Sequence, residues 1–391
     1  MTKKGEMKMR RMKKWTAYML VAIMALATVG CGSKGKEGNS SKHNGGKEVE
    51  ISYWNSGLGT DYLDAMVKAF NEEQSDYYVY YNAAAGGSST AGFGLADVDS
   101  VDLYMGTKIY DTSQMEPIDD ILNSVAEGDK KPLKEKFHAS YLETEQAADG
   151  HYYSLPWGGG LLSIMYNKEL FQKAGITTLP RTTSELTVVC DTLYEKGITP
   201  LTHCTGTEGG GYWTSVMELW QAQYDGIAYF KNTFYKCTDE NGTSPSKDVL
   251  TRKDGRYEVL KAMESITTPE YVLAGSNSQD HITMQTLFLQ TDIGMLVNGS
   301  WLANEMKSVG DMGNYGVMKA PVISSITDKL TTVKSDKALR DLVSAIDAVT
   351  DGEKAISEYQ SGDNYIVNGK EVSVADWERV YEARNMVAGL Y

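Results

Sequence analysis

Three features of this 391-residue chain predict an α/β fold in two units. Strand-like and helix-like segments alternate from Glu48 onward, the grammar of βαβ units and a mostly parallel sheet. The length favours two domains of about 100 to 200 residues each. Trp157 is followed by Gly158, Gly159 and Gly160, where backbone angles barred to other residues become available and the chain can bend or cross between units.

Residues 1 to 30 read as an address. Lys3, Lys4, Lys8, Arg10, Arg11, Lys13 and Lys14 precede an apolar run from Trp15 to Val29. This is a signal peptide's shape, too short and one-sidedly flanked for a membrane span of about 20 apolar residues. The run ends in Thr28-Val29-Gly30-Cys31-Gly32-Ser33, which resembles a bacterial lipoprotein cleavage box. That resemblance implies lipidation at Cys31; an ordinary secretory signal with an incidental cysteine is the other reading. Residues 31 to 47, rich in Gly, Ser and Lys, bury too little apolar surface to fold and read as a flexible tether.

Val49, Ile51 and Tyr53 then alternate with polar residues as a strand, and Asn55 to Gly59 turn the chain into a helix whose stripe is Leu63, Met66, Val67 and Phe70. Strands follow at Tyr77 to Tyr81 and Val101 to Met105, separated by a Gly/Ser/Ala loop, 83 to 94, that lacks phosphate-cradle spacing. Asp149-Gly150 signals a hairpin turn into Tyr152, Tyr153 and Leu155, with Pro156 ending the pairing. After the glycines, Leu161 to Tyr166 forms a strand, Asn167 caps a short helix on Leu170, Phe171 and Ala174, and Gly175 stops it. Thr182 and Glu185 make a capping box for a helix on Leu186, Val189, Cys190 and Leu193 that ends at Gly197. Further helices carry Trp213, Val216, Met217 and Trp220, then Leu339, Leu342, Val343 and Ile346, then Trp377 and Val380 behind a Ser373–Asp376 cap. Asp292 to Val297 is a strand leading into Asn298-Gly299-Ser300-Trp301.

The 38 Lys and Arg against 52 Asp and Glu give a net charge of −14. Without the seven bases and Glu6 of the leader the balance is 31 against 51, or −20. Such a surface repels nucleic-acid phosphates, so no nucleic-acid partner is expected and a neutral or cationic ligand fits better than an anionic one. Cys190 lies on an apolar stripe and reads as a small buried hydrophobe. Cys204 and Cys237 leave a bridge open without implying one, and His203 beside Cys204 reads as surface polar, with no second ligand pair at metal spacing. No metal or cofactor is expected. GxSxG, HExxH, zinc-pair and Walker spacings are absent from the chain, and Asp97, Asp99 and Asp102 lack the remaining features of a calcium loop.

The segments DGHYYSLPW, IMYNKELFQKAGI, TSEL with CDTLYEKGITPL, FLQTDIGMLVNGSWLANEM and YGVMKAPVIS, in this order and spacing, resemble the extracellular solute-binding lipoproteins of bacterial carbohydrate ABC importers, related to maltose-binding protein. The resemblance covers most of the chain after the tether. It implies a two-lobe, type II periplasmic-binding-protein-like fold with a hinge and an interlobe ligand cleft. Lobe 1 would be residues 48 to 158 and lobe 2 mainly 159 to 391, with a return to lobe 1 expected beyond Tyr391. It implies a monomer, lipid-anchored at the extracellular face of the membrane, that captures a sugar or oligosaccharide and delivers it to permease subunits. A secreted glycosidase-like enzyme, with scattered carboxylates that sequence cannot pair, is the alternative.

A pyranose stacks its C–H face on aromatic rings and needs amides and carboxylates for its hydroxyls. In open α/β sheets ligands sit beyond the carboxyl ends of strands. The candidates are therefore Trp54, out of phase with the apolar face of its strand; the glycine-flanked Trp157; Trp213, opening its helix; and Trp301, after the Asn298-Gly299 turn. Asn55, Asp61 and Asn298 are the candidate polar partners. For Trp213 the helical stripe offers core packing as the competing reading, and Trp301 stands open between cleft and core. Trp220 and Trp377 read as core.

Overall fold

The computed structural model describes residues 46–53, 55, 57–82, 103–105, 112–113, 115–156, 160–203, 211–253 and 255–388. The expectations on Cys31, Trp54, Trp157, Cys204 and the 83–94 loop fall outside them. The fold is mixed α/β, and contacts divide it into two units: one of residues up to Asn55 with Thr60–Gln114, the other of Ser56–Gly59 with Met115 onward. This grouping puts 115–156 with the second unit, whereas the sequence reading drew a boundary at Gly158.

In the first unit β1 (Lys47–Tyr53) runs parallel to β2 (Tyr77–Asn82) on one side and to β3 (Leu103–Met105) on the other. The alternating strand brings Ile51 and Tyr53 inside. Helix α1 (Asp61–Glu73) buries only Leu63 of its expected stripe; Met66 and Phe70 stand 60% and 44% exposed, a departure from the sequence reading. A stripe shows which side of a helix is apolar, not that an element of the described chain covers it.

The second unit is built on a four-stranded sheet of order β5 (Thr199–Thr202), β6 (Ile293–Gly299), β4 (Leu162–Asn167), β7 (Tyr315–Met318). β4 is antiparallel to both neighbours, and only β5 with β6 is parallel, so the sheet is mixed where a mostly parallel one was expected. Two short helices, α2 (Asp119–Asn123) and α3 (Ala139–Glu143), precede the hairpin expected at Asp149-Gly150, which also shrinks. Gly150 takes φ +88° and the turn forms, but pairing stops at one bridge, Gln146 to Tyr152, because the Tyr152 carbonyl accepts from Ile118 N–H instead.

The local signals acted as read at most helix ends. Asn167 Oδ1 accepts from Leu170 N–H at 3.1 Å to start α4 (Lys168–Ala174), and Gly175 closes it at φ +81°. Thr182 caps α5 (Thr183–Glu195), but Glu185 does not complete the box; it accepts from Arg181's backbone N–H and guanidinium. Two acceptor sites on one carboxylate met a closer cation.

Helix α6 (Gly211–Asp225) drives Trp213, Val216, Leu219 and Trp220 into the main core, against α7 (Gly255–Ile266). Trp220 is fully buried and its Nε1–H donates to Pro321 O at 2.9 Å. Burial pushes the Cys190 thiol up to about 12, so it stays a packing group; Cys237 is free and exposed. Helix α8 (His281–Gln290) and α9 (Leu302–Glu305) pack on the sheet's other face around Phe288, Leu296 and Leu302.

Helix α10 (Asp336–Thr350) buries Leu339, Leu342, Val343 and Ile346 completely. A small sheet, β8 (Gln360–Ser361), β9 (Asn364–Val367) and β10 (Lys370–Val372), precedes α11 (Val374–Asn385), where Trp377 stacks on Tyr365 with ring centroids 4.4 Å apart. Asp376 is buried and accepts from the N–H groups of Thr331, Thr332 and Val333 and from the Thr332 hydroxyl. Burial raises this carboxyl, but those hydrogen bonds outweigh it and hold it below the usual range.

Candidate functional site

The ends of β5 and β6, the start of β4 and the first turn of α6 lie along one edge of the second unit's sheet, because β4 runs against β6. Trp301, just past β6, is seated there on backbone. A Cβ on Gly299 would stand 2.1 Å from its Cζ3, and one on Gly160 would stand 2.7 Å from the same atom. Only glycines let the indole lie this close to the end of β6 and to the segment just before β4. Tyr212 faces it from α6 with centroids 5.5 Å apart and planes at 52°, and both rings are partly buried against the main core. On the far side the 57–59 turn closes on α9. Asn304 Nδ2 donates to Gly57 O at 2.9 Å, and Glu305 accepts from Gln285 Nε2 at 2.8 Å.

Trp213 is 6% exposed and lies in the core beside Trp220, centroids 6.3 Å apart. The two indoles differ in one respect: Trp220 Nε1–H has the Pro321 carbonyl, whereas Trp213 Nε1–H meets no acceptor among the described residues. His203, read from sequence as surface polar, is 9% exposed at the end of β5. Its Nε2 lies 2.8 Å from Asn277 Oδ1, and its Nδ1 is buried with no partner among the described residues. The adjoining Thr202-His203-Cys204 offered no pattern that distinguishes a buried from an exposed histidine.

The geometry brings some candidates together and separates others. Trp213, Tyr212 and Trp301 share the main-core face of the sheet. Side chains alternate along β6, so Leu296 and Asn298 point to the opposite face, and Asn298 is buried with its Oδ1 on Gly299 N–H at 2.7 Å. Asn55 and Asp61, in the first unit, are both exposed. Tyr212, which sequence reasoning passed over, was legible only as the residue before Trp213 at a helix start.

A cleft of about 280 Å³ beside β4 and β7, lined by Leu161, Val317, Lys319, Arg384, Met386 and their neighbours, contains none of the candidate residues. No group of three His, Cys, Asp or Glu that could hold a metal occurs among the described residues, and no helix among them is long and apolar enough to cross a membrane.

Residues 56–338 match the profile of the bacterial extracellular solute-binding protein family. A binding protein of Brucella abortus is 26% identical over 209 residues, covering 52% of this chain and 47% of its own. An ABC transporter extracellular-binding protein of Pyrococcus horikoshii is 23% identical over 327 residues, 79% of this chain and 68% of its own. Among the curated relatives the first three matches each take in about half of the relative's length. Among solved structures, a chitin oligosaccharide binding protein superposes with TM-score 0.54 at 22% identity, over 71% of this chain and 68% of its own, a likeness of fold.

Proposed function

The chain belongs to the bacterial extracellular solute-binding protein family, and from that premise we propose that it captures a neutral sugar or oligosaccharide outside the cell and hands it to the permease of an ABC importer. The observation that carries the sugar reading is the seat of Trp301. An indole laid on Gly160 and Gly299, facing Tyr212 at the sheet edge, is an aromatic platform of the kind a pyranose C–H face stacks on. The ligand of a protein of similar fold, chitin oligosaccharide, supports the same ligand class, and the net charge of −14 favours a neutral ligand over an anionic one.

The role is binding without turnover. Trp213 and Trp301 are ligand contacts in this reading, and Trp54, Trp157, Asn55, Asp61 and Asn298 are further ones argued from the sequence. The protein acts as a monomer in two lobes, anchored by a lipid on Cys31 behind its signal peptide and tether. Titration of the purified chain with neutral mono- and oligosaccharides, followed by tryptophan fluorescence, is expected to give saturable binding and an unchanged sugar. Release of cleaved sugar would establish the glycosidase reading instead. For the anchor, Cys31→Ala is expected to leave an unprocessed or shed protein; unchanged processing and membrane retention would refute lipidation there.

A further inference from the structure

The stretch from Tyr229 to Lys261 breaks the charge pattern of the rest of the chain. From residue 48 onward there are 27 bases and 50 acids, yet seven of those bases and only five of the acids fall in this stretch. The fold gathers it into one piece, because two arginines clamp a π-helical turn, Phe230–Tyr235, to the segment that leads into α7. Arg252 lies over the Tyr229 ring at 6.0 Å and donates to Thr238 O at 3.0 Å. Arg256 lies over the Phe234 ring at 5.8 Å and donates to Val249 O at 3.0 Å.

On this frame Lys231, Lys236, Lys247 and Lys253 are exposed. Lys236 Nζ donates to Asn232 Oδ1 at 3.0 Å, and Lys253 lies over the Tyr257 ring at 5.3 Å. An amide or a ring holds an ammonium without cancelling its charge, so these cations stay open to an outside anion. Of the described acids nearby, Glu258 is taken by Lys261 at 3.1 Å and Asp239 by the N–H groups of Asn241 and Thr243, while Glu240 and Asp248 are exposed. Large side chains that the core does not use stand among the lysines: Tyr235 is 65% exposed, Leu260 52% and Tyr257 46%.

A partner for this surface must be anionic and must accept apolar groups at its boundary. A bilayer with anionic headgroups does both, since ammoniums meet its phosphates while tyrosine rings settle at headgroup depth. The bilayer is also within reach. Residues 31 to 47, as a flexible coil, span about 20–25 Å, and that tether itself carries four lysines against Glu37. The acidic remainder of the body is repelled by the same headgroups, so opposite signs of charge favour one side of the molecule toward the membrane.

We propose that Lys231, Lys236, Lys247 and Lys253, with Tyr235, form a surface that docks on anionic lipid headgroups and orients the tethered body against the membrane. The inference rests on the reading of Cys31 as a lipid anchor for the nearness of the bilayer, and it adds a second contact to that anchor.

The test reconstitutes the full chain through its N-terminal segment into vesicles of phosphatidylcholine, alone or mixed with phosphatidylglycerol. Cys237, free and exposed beside Lys236, reports contact through its rate of maleimide labelling, assigned to its own peptide by mass spectrometry. Each basic residue near an anionic surface contributes about fivefold to partitioning. Labelling is therefore expected to slow about fivefold or more on phosphatidylglycerol vesicles, and to recover in 1 M salt, where the screening length is about 3 Å. The combined Lys231→Gln, Lys236→Gln, Lys247→Gln and Lys253→Gln variant is expected to label alike on both vesicles, with the melting temperature of the wild type. Equal labelling of the wild type on both vesicles, or slowing that the lysine variant retains, would overturn the proposal. Equal slowing by soluble polyphosphate without vesicles would overturn the choice of a membrane as partner. A wild type that leaves phosphatidylcholine vesicles but is still protected by phosphatidylglycerol would overturn the anchor and keep the surface.

Discussion

At the scale of single residues, two tryptophans carry different loads. Trp220 is fully buried and hydrogen-bonded, so Trp220→Ala opens a cavity and is expected to destabilise the fold by about 3–5 kcal/mol, read from denaturant unfolding. Trp301 is held by close backbone approach, and Gly299→Ala is its most specific probe. A methyl 2.1 Å from the ring must displace it, with an expected cost of about 1–3 kcal/mol and a shift in tryptophan emission. An unchanged spectrum and stability would show that the indole is not seated as described. Aromatic residues at strand and helix ends were legible in the sequence as candidates. What was not legible is which face each takes: Asn298 and Trp301 are three residues apart yet lie on opposite sides of the sheet, because the chain turns out of β6 between them. His203 was equally hidden, since burial there depends on Asn277, 74 residues away.

Among the elements, capping signals translated directly into helix starts, because an N-cap is a bond between neighbours and needs no tertiary partner. Thr182→Ala is expected to cost about 1 kcal/mol through loss of the cap on α5. Long-range pairing was less legible. The apolar run of β4 showed a strand but not its direction, which is set by β6 and β7 more than a hundred residues on. The β9–β10 hairpin was legible and was missed: Asn368-Gly369, both at positive φ, is the two-residue turn signal between alternating strands.

The join of α11 to the 331–333 segment rests on Asp376, and its carboxylate makes that join pH-dependent. The folded carboxyl titrates below its unfolded value near 3.9. Its contribution is therefore complete above about pH 4 and lost as pH falls through the lower folded value. Asp376→Asn, which leaves N–H donors facing an amide, is expected to lose about 2–4 kcal/mol at pH 7. The gap to wild type should narrow below pH 4. A gap independent of pH would mean that the charge is not what the N–H groups hold.

For the whole molecule, the α/β class, the division into two units and the family were all legible, because each is carried by many weak signals spread over the chain rather than by one site. The central claim is that this acidic two-unit protein binds a neutral sugar and leaves it intact, with the Trp301 platform as part of the binding site. A ligand that binds only the folded state raises stability by about 2.7 kcal/mol at 100 times its Kd, so a melting screen would find the sugar. The measurement that tests the claim most directly is then calorimetric titration of that sugar into wild type and Trp301→Ala, with the sugar recovered and weighed for cleavage. We expect single-site saturation by wild type, a 10- to 150-fold weaker Kd for Trp301→Ala, about 1.5–3 kcal/mol for a lost stacking ring, and intact sugar. Equal affinity of the two proteins would contradict the platform, and cleaved sugar would contradict the binding role itself.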